Sequence, residues 1–211
     1  MQTSARKDFN VVLDLDNTLI CAEYQTEFPF GEDGAKEKAL KFRFHDMDGY
    51  YIVFERPGVQ EFLDELFDLY NVSVWTAASK DYAIFIIKEV ILKDKKRKLD
   101  YAMFSHHCDI SKDLYNKNSK DLRLIHKTFG IEGHNKSNTV IIDDLPEVYK
   151  SQPSCCIPVK AFEFFDSGSY NDVELKKILQ SIRKMADQAL AVENGSVASS
   201  HGSSSSSSSS I

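Results

Sequence analysis

An aliphatic run that ends in acids constrains this chain more than any other feature. Val11-Val12-Leu13 reads as a short buried strand, and Asp14 and Asp16 follow it directly. Ionised carboxylates are costly to bury unless a cation or a set of hydrogen-bond donors meets them. Residues i and i+2 of a strand point to one side, so both acids would face one pocket. In open α/β sheets ligands bind at the carboxyl ends of the strands. Two readings follow: an edge-strand acid pair facing solvent, or a metal site with one nucleophilic carboxylate and one proton carrier. Another such run, Thr139-Val140-Ile141-Ile142, ends in Asp143-Asp144, and Val72-Ser73-Val74-Trp75 ends at Thr76. If these strands are parallel neighbours, all three polar tips meet at one sheet edge.

The stretches between these runs have helical spacing. Val59, Phe62, Leu63, Leu66, Phe67 and Tyr70 follow Arg56-Pro57-Gly58, with Pro57 suited to a first helical turn. Ser79 is placed to cap a helix reaching about Leu92, and Ser119 one that stops near Phe129 before Gly130. Asn171 and Glu174 are spaced as a capping box for a last helix to about Leu190. Residues 101–104 and 155–159 read as short strands, the second irregular or at an edge because of Pro158. Residues 21–39 and 105–118 read as loops. Strand-like runs at 40–45 and 50–55 flank Asp48-Gly49, a hairpin signal, so a small β-hairpin insertion is placed at about residues 24–55. The alternation predicts an α/β domain with a mainly parallel central sheet flanked by helices. It spans residues 9–190, after a polar lead-in at 1–8. The Ser-rich tail at 191–211 has too little apolar surface to order itself.

A chain of 211 residues can build a core without disulfide or zinc staples. Cys21, Cys108, Cys155 and Cys156 form no C-x-x-C pair, which argues against structural zinc and fits a reducing compartment. The net charge of −6 gives no general attraction to nucleic acid or anionic membrane. No run reaches transmembrane length and no apolar leader is evident, so the expected location is nucleus or cytoplasm. The basic run at residues 93–98 reads as a solvated helix end, with a nuclear import patch as the alternative.

The order Asp14-x-Asp16-x-Thr18, then Thr76, then a lysine, then Asp143-Asp144 resembles the haloacid dehalogenase superfamily. More narrowly it resembles the RNA polymerase II C-terminal-domain (CTD) phosphatases, in particular the small CTD phosphatase and NLI-interacting-factor group. The resemblance covers about residues 9–188. It is carried by Leu13-Asp14-Leu15-Asp16-Asn17-Thr18-Leu19, by Glu55-Arg56-Pro57-Gly58 and by Trp75-Thr76-Ala77-Ala78-Ser79-Lys80-Asp81-Tyr82-Ala83. Asp143-Asp144-Leu145-Pro146 stands in place of the commoner Asp-Asn-Ser-Pro, and Phe164-Phe165-Asp166 is similar to a late Trp-Phe-Asp segment.

The resemblance implies a Rossmann-like haloacid dehalogenase fold and a Mg²⁺-dependent protein serine/threonine phosphatase. Asp14 would be the nucleophile, Asp16 the proton carrier and Thr76 a phosphoryl donor. Asp14, the Asp16 backbone carbonyl and Asp144 would hold Mg²⁺, with Asp143 in the same acidic set and paired to the lysine. Two Lys-Asp-Leu segments compete for that lysine: Lys120 is preferred and Lys112 is the alternative. Thr18, Ala77, Tyr24 and Lys112 are the implied substrate contacts, with a turn-holding role open for Thr18 and plain packing for Tyr24. Ser105 stands where the small phosphatases have an arginine, and His106 and His107 read as loop or packing residues. The implied substrate is a phosphorylated peptide or protein such as the RNA polymerase II tail, with no membrane partner. The alternatives are a phosphatase of a nucleic-acid end or small metabolite, and a non-catalytic peptide-binding relative.

Overall fold

The computed structural model describes residues 8–29 and 34–200. Residues 1–7, most of the expected lead-in, and the serine run at 201–211 lie outside the described residues. In chain order the strands are β1 (Asn10–Leu13), β2 (Ile20–Tyr24), β3 (Phe44–Met47), β4 (Tyr51–Glu55), β5 (Asn71–Trp75), β6 (Ala102–Met103), β7 (Thr139–Asp143) and β8 (Cys156–Pro158). The helices are α1 (Ala35–Ala39), α2 (Val59–Leu69), α3 (Lys80–Ile86), α4 (Ser105–Leu114), α5 (Pro146–Ser151) and α6 (Glu174–Ser200). Two π-helical turns, Ile87–Ile91 and Leu124–Thr128, and a 3₁₀ turn, Ser169–Asn171, complete the regular structure of the described residues.

Five strands form one parallel sheet in the order β6-β5-β1-β7-β8. The expected parallel α/β architecture is therefore present. β1 lies at its centre, with Leu13 level with Val74 of β5 and Ile142 of β7. Val11 and Leu13 pack on one face with Leu63, Ile86 and Ile178, and Val12 packs on the other with Trp75, Leu124 and Val148. A strand covered on both faces has no polar side, which is why Val11-Val12-Leu13 is uniformly aliphatic. Each such buried side chain contributes about 1.5–3 kcal/mol. Pro158 sits in the edge strand β8, where a missing N–H costs least.

Several local expectations are corrected. Residues 105–118 contain α4 rather than a loop. Cys108 and Ser111 are the residues it buries, so its apolar stripe is too thin to show in the sequence. His107 belongs to its first turn, where its Nδ1 accepts from the backbone N–H of Phe104. Residues 119–122 form an irregular turn, not a capped helix, and lead through Arg123 into the π turn. The cap of α6 is Asp172, whose Oδ1 accepts from the N–H of Glu174 at 2.8 Å, not Asn171. That helix runs on to Ser200, into the expected tail, along a stretch that includes the strong helix formers Ala189, Ala191 and Glu193.

The insertion is larger than a hairpin. Ile20–Tyr24 is a strand, and β2, β4 and β3 form an antiparallel sheet in that order. Its own small core is aromatic: Phe28, Phe42, Phe54, Phe162 and Phe164, with the Phe54 and Phe164 rings stacked at 4.0 Å. The basic run also differs from expectation. Arg97 is buried, donating to Asp64 Oδ1 (Nη2, 2.6 Å), Gln60 Oε1 (Nη1, 2.9 Å) and the carbonyl of Ile91 (Nη1, 3.1 Å). It closes the end of the Ile87–Ile91 turn. Among the described residues no helix is long and apolar enough to cross a membrane.

Arg56 ties the sheet to the last helix. Its Nη1 donates to the carbonyl of Thr18 (3.0 Å), and Nε and Nη2 grip both oxygens of Asp172 at 3.1 and 2.9 Å. Burial alone would raise the Asp172 pKa, but the Arg56 hydrogen bonds hold it below the ordinary value. Arg56→Ala strands this carboxylate, so urea unfolding is expected to show a loss of about 3 kcal/mol. Adding Asp172→Asn should recover part of it; an additive double variant would show that the pair is not coupled.

Candidate active site

The three expected polar tips lie on the adjacent strands β5, β1 and β7. Asp14 is one residue past β1, and its N–H continues the ladder to the carbonyl of Ile142 at 3.0 Å. The register that sets Leu13 level with Ile142 brings Asp14 level with Asp143. The chain then turns sharply. Asn17 takes a left-handed conformation (φ 57°), which asparagine tolerates better than most residues. Its N–H donates to the carbonyl of Ile20, and Leu19 N–H to the carbonyl of Leu15. Asp16 therefore lies in a turn held by a single bridge to Ile20, not in a continuing strand.

Lys120 organises the centre. Its ammonium is 1% exposed and donates to Asp14 Oδ1 at 2.5 Å and to Asp143 Oδ2 at 2.7 Å. Burial pulls its pKa down, but Asp14 and Asp143 outweigh that and raise it, so it is a fixed positive charge. Lys112, the alternative, stands on α4 with its side chain 48% exposed, paired to Asp109 at 3.4 Å. The structure does not bring Lys112 into this centre. Thr18 is buried and its Oγ1 donates to Asp14 Oδ2 at 3.3 Å, so both oxygens of Asp14 are oriented.

Carboxylate oxygens of Asp14, Asp143 and Asp144 lie within 4.8 Å of one another, a group that could hold a metal ion. Burial first, then the charge of Asp14, pushes Asp143 up to about 7 and Asp144 up to about 6. One lysine does not balance these acids together with Asp16. A small set of oxygen donors carrying excess negative charge suits a hard divalent cation. Asp143 has both oxygens engaged, by Lys120 and by the N–H of Leu145 at 2.9 Å, as Asp14 has by Lys120 and Thr18, which leaves Asp144 the acid of this group not held by Lys120. The Asp16 carboxylate is outside this group; its expected metal contact was through the backbone.

Instead, Asp16 Oδ1 accepts from the hydroxyl of Tyr82 at 2.5 Å. Burial raises the Asp16 pKa and Asp14 adds to the rise, against the pull of Tyr82 and Lys120. Tyr82 comes from α3, which Ser79 caps by accepting from the Tyr82 N–H. Tyr82 meets Tyr51 edge-on at 5.5 Å, and Tyr51 packs on the exposed Tyr24 at 4.8 Å. Tyr24 thus ends an aromatic row that begins at Asp16. Thr76 is buried at the tip of β5, with Oγ1 accepting from the N–H of Ala78 at 3.0 Å, and Ala77 is exposed beside it. Ser105 N–H donates to the carbonyl of Ala78 at 3.0 Å, so α4 starts against this same loop.

Three supporting residues escaped the sequence reading. Tyr82 lay inside a quoted motif without a role. Ser111 Oγ accepts from the N–H of Asp121 (3.0 Å) and donates to the carbonyl of Asn118 (2.7 Å). Gln152 Nε2 donates to the carbonyl of Lys120 at 2.6 Å, and its Oε1 accepts from the N–H of Leu122 at 3.1 Å. Together Ser111 and Gln152 brace the turn that carries Lys120. Nothing in local sequence marks them: Ser111 reaches seven to ten residues along the chain and Gln152 about thirty back.

A parallel sheet with acids at the ends of β1 and β7 and a lysine between them is the arrangement of the haloacid dehalogenase fold. The profile of the NLI interacting factor-like phosphatases matches residues 9–193, and the chain belongs to that family. It is 47% identical over 173 residues to the CTD phosphatase-like protein 355R of Invertebrate iridescent virus 6, covering 80% of this chain and 94% of that one. It is 28% identical over 179 residues to CTD nuclear envelope phosphatase 1 of Xenopus laevis, covering 84% of this chain and 68% of that one. Among solved structures, the fission yeast RNA polymerase II CTD phosphatase Fcp1, as a variant bound to beryllium fluoride, superposes with a TM-score of 0.52 at 21% identity. That likeness shows the fold; it covers 85% of this chain, which spans about half of the Fcp1 chain (51%).

Tyr82→Phe removes the donor that holds the Asp16 pKa down. Carboxyl NMR titration is expected to show Asp16 titrating at higher pH than in the wild type, and turnover of a phosphate ester to fall about tenfold. An unchanged titration would remove Tyr82 from the site.

Proposed function

We propose that the chain is a Mg²⁺-dependent protein serine/threonine phosphatase that works through a phospho-aspartate at Asp14. The observation that supports this most is the double anchoring of Asp14. Lys120 and Thr18 each hold one of its oxygens, so the carboxylate is oriented at the edge of an acidic cluster. A carboxylate held this way is a nucleophile in waiting.

In the first step an Asp14 oxygen attacks phosphorus and the bond from phosphorus to the serine oxygen breaks. Asp16 gives its proton to that leaving oxygen, a role its raised pKa favours. In the second step a water attacks the acyl phosphate, Asp16 takes the proton back, and Asp14 leaves as a free carboxylate. Thr76, with the Ala77 segment, binds phosphoryl oxygens, and Lys120 offsets charge that builds on Asp14 and the phosphate. Asp14, Asp144 and the Asp16 carbonyl would hold Mg²⁺, with Asp143 close by. When bound, the ion lets an anionic carboxylate approach an anionic ester. The exposed Tyr24 and the small insertion sheet leave room for an extended peptide. Phosphoserine in a proline-containing segment such as the RNA polymerase II tail is the proposed substrate, in keeping with the CTD phosphatase names of the relatives.

Asp14→Asn should lower Mg²⁺-dependent aryl phosphate turnover by about a thousandfold or more, and wild type should turn over a phosphoserine tail peptide faster than a phosphorylated oligonucleotide. Turnover unchanged in Asp14→Asn would end the phospho-aspartate reading, and faster oligonucleotide cleavage would end the peptide assignment.

The acidic cluster gives a second check. Carboxyls with raised pKa values bind more protons in the folded chain than in the unfolded one. Without a cation, stability therefore falls as pH rises from about 4 through the values of Asp144 and Asp143. Bound Mg²⁺ removes much of that fall, so it should raise Tm more at about pH 8 than at about pH 5. Equal effects at both would take Asp143 and Asp144 out of the metal site.

A further inference from the structure

A cavity of about 600 Å³ opens beside the turn that carries Lys120, and none of Asp14, Asp16, Thr76, Lys120, Asp143 or Asp144 lines it. Its volume is that of an ordinary small-molecule site. The chain as a whole carries −6, yet this lining bears Arg123, Lys127 and Lys136 against the single acid Asp121. Asp121 is already neutralised, since Arg123 donates to both its oxygens, Nε to Oδ1 at 2.9 Å and Nη2 to Oδ2 at 2.7 Å. That leaves Arg123 Nη1 without a hydrogen-bond partner among the described residues. Lys127 and Lys136 are exposed and make no ion pair among the described residues. With Arg123 paired to Asp121 and stacked on Tyr115 at 4.4 Å, Lys127 and Lys136 are the unpaired cations, and in a concave, partly apolar cavity they focus a positive potential. The matching ligand carries clustered negative charge on oxygen, and phosphate groups fit Arg and Lys donors well.

The cavity is also wired to the catalytic lysine. Gln152 lines it, and the same side chain clamps the carbonyl of Lys120 and the N–H of Leu122. Gln152 lines the same cavity as Arg123, Lys127 and Lys136. Tightening or loosening that clamp shifts the backbone on either side of Lys120, whose ammonium must stay between Asp14 and Asp143. We propose that this cleft is a second anion site, for a small oligophosphate either free or carried on a nucleoside, and that its occupancy adjusts turnover through Gln152. Gln152 is here a positioning residue. The regulatory half rests on Lys120 serving the proposed reaction; the binding half does not.

The test uses the full chain, tripolyphosphate as the probe and the surface double variant Lys127→Glu/Lys136→Glu. Aryl phosphate turnover is followed at fixed free Mg²⁺ with increasing probe. Probe bound at Asp14 raises KM alone, whereas probe bound in the cleft changes kcat. The expected result is a kcat change of about twofold or more in wild type that is lost in the double variant, with basal turnover of the variant within about twofold of wild type. Calorimetry, which needs no turnover, should show wild type taking up one more equivalent of probe than the variant. A non-hydrolysable nucleoside triphosphate in place of tripolyphosphate tells the two sources apart: tighter binding supports a nucleoside-borne phosphate, equal binding the phosphate chain alone. A pure KM effect, a kcat effect that survives in the double variant, or equal stoichiometry in the two proteins overturns the proposal. Absence of basal turnover would instead count against the catalytic reading and leave calorimetry to judge the cleft.

Discussion

One buried ammonium holds the catalytic end of this fold together. Lys120 sits between Asp14 and Asp143, and without it the tips of β1 and β7 would set carboxylates side by side in a low-dielectric pocket. A buried ion cluster of this kind is a poor source of stability, because desolvation offsets most of the attraction. Its value is positional. The lysine aims Asp14, and the remaining acidity of the cluster suits a divalent cation. The surrounding architecture serves the same end. Parallel strands align the acids, α4 supplies Ser111, and the end of α5 is followed by Gln152, so the lysine is held by its backbone as well as by its charge.

Much of this was legible because central parallel strands leave a plain signature. Runs buried on both faces are aliphatic throughout, so an acid at the end of one stands out. Asp14 and Asp143 stand out that way, Thr76 ends a run that Ser73 interrupts, and the sheet order joins their strands. The insertion showed less clearly. Ile20–Tyr24 was hidden because its polar half faces outward, and the phenylalanines that cover the small sheet come from residues more than a hundred positions apart. α4 was missed for a related reason: a helix that buries a cysteine and a serine has no apolar stripe to read.

The two Lys-Asp-Leu segments show where local sequence stops being informative. Lys112 and Lys120 have the same neighbours in the chain. What separates them is tertiary: one is on the outer face of a helix, the other at a turn braced from two directions. The same holds for Arg97, which belongs by sequence to a basic run and by structure to the end of a helical turn. Arg56 likewise reads as part of a motif, yet its guanidinium joins the opening turn to the start of α6. In each case the charge was visible and its partner was not.

The aromatic row from Tyr24 through Tyr51 to Tyr82 has a kinetic meaning. Tyr24 stands in solvent, whereas Tyr82 holds Asp16. On the proposed mechanism, a substrate side chain that presses on the outer ring is mechanically joined to Asp16, the proposed proton carrier, at the inner end. Recognition spent there need not appear as tighter ground-state binding. It can emerge instead in the rate of bond breaking, so that a good sequence is one that is cut quickly rather than one that is held longest.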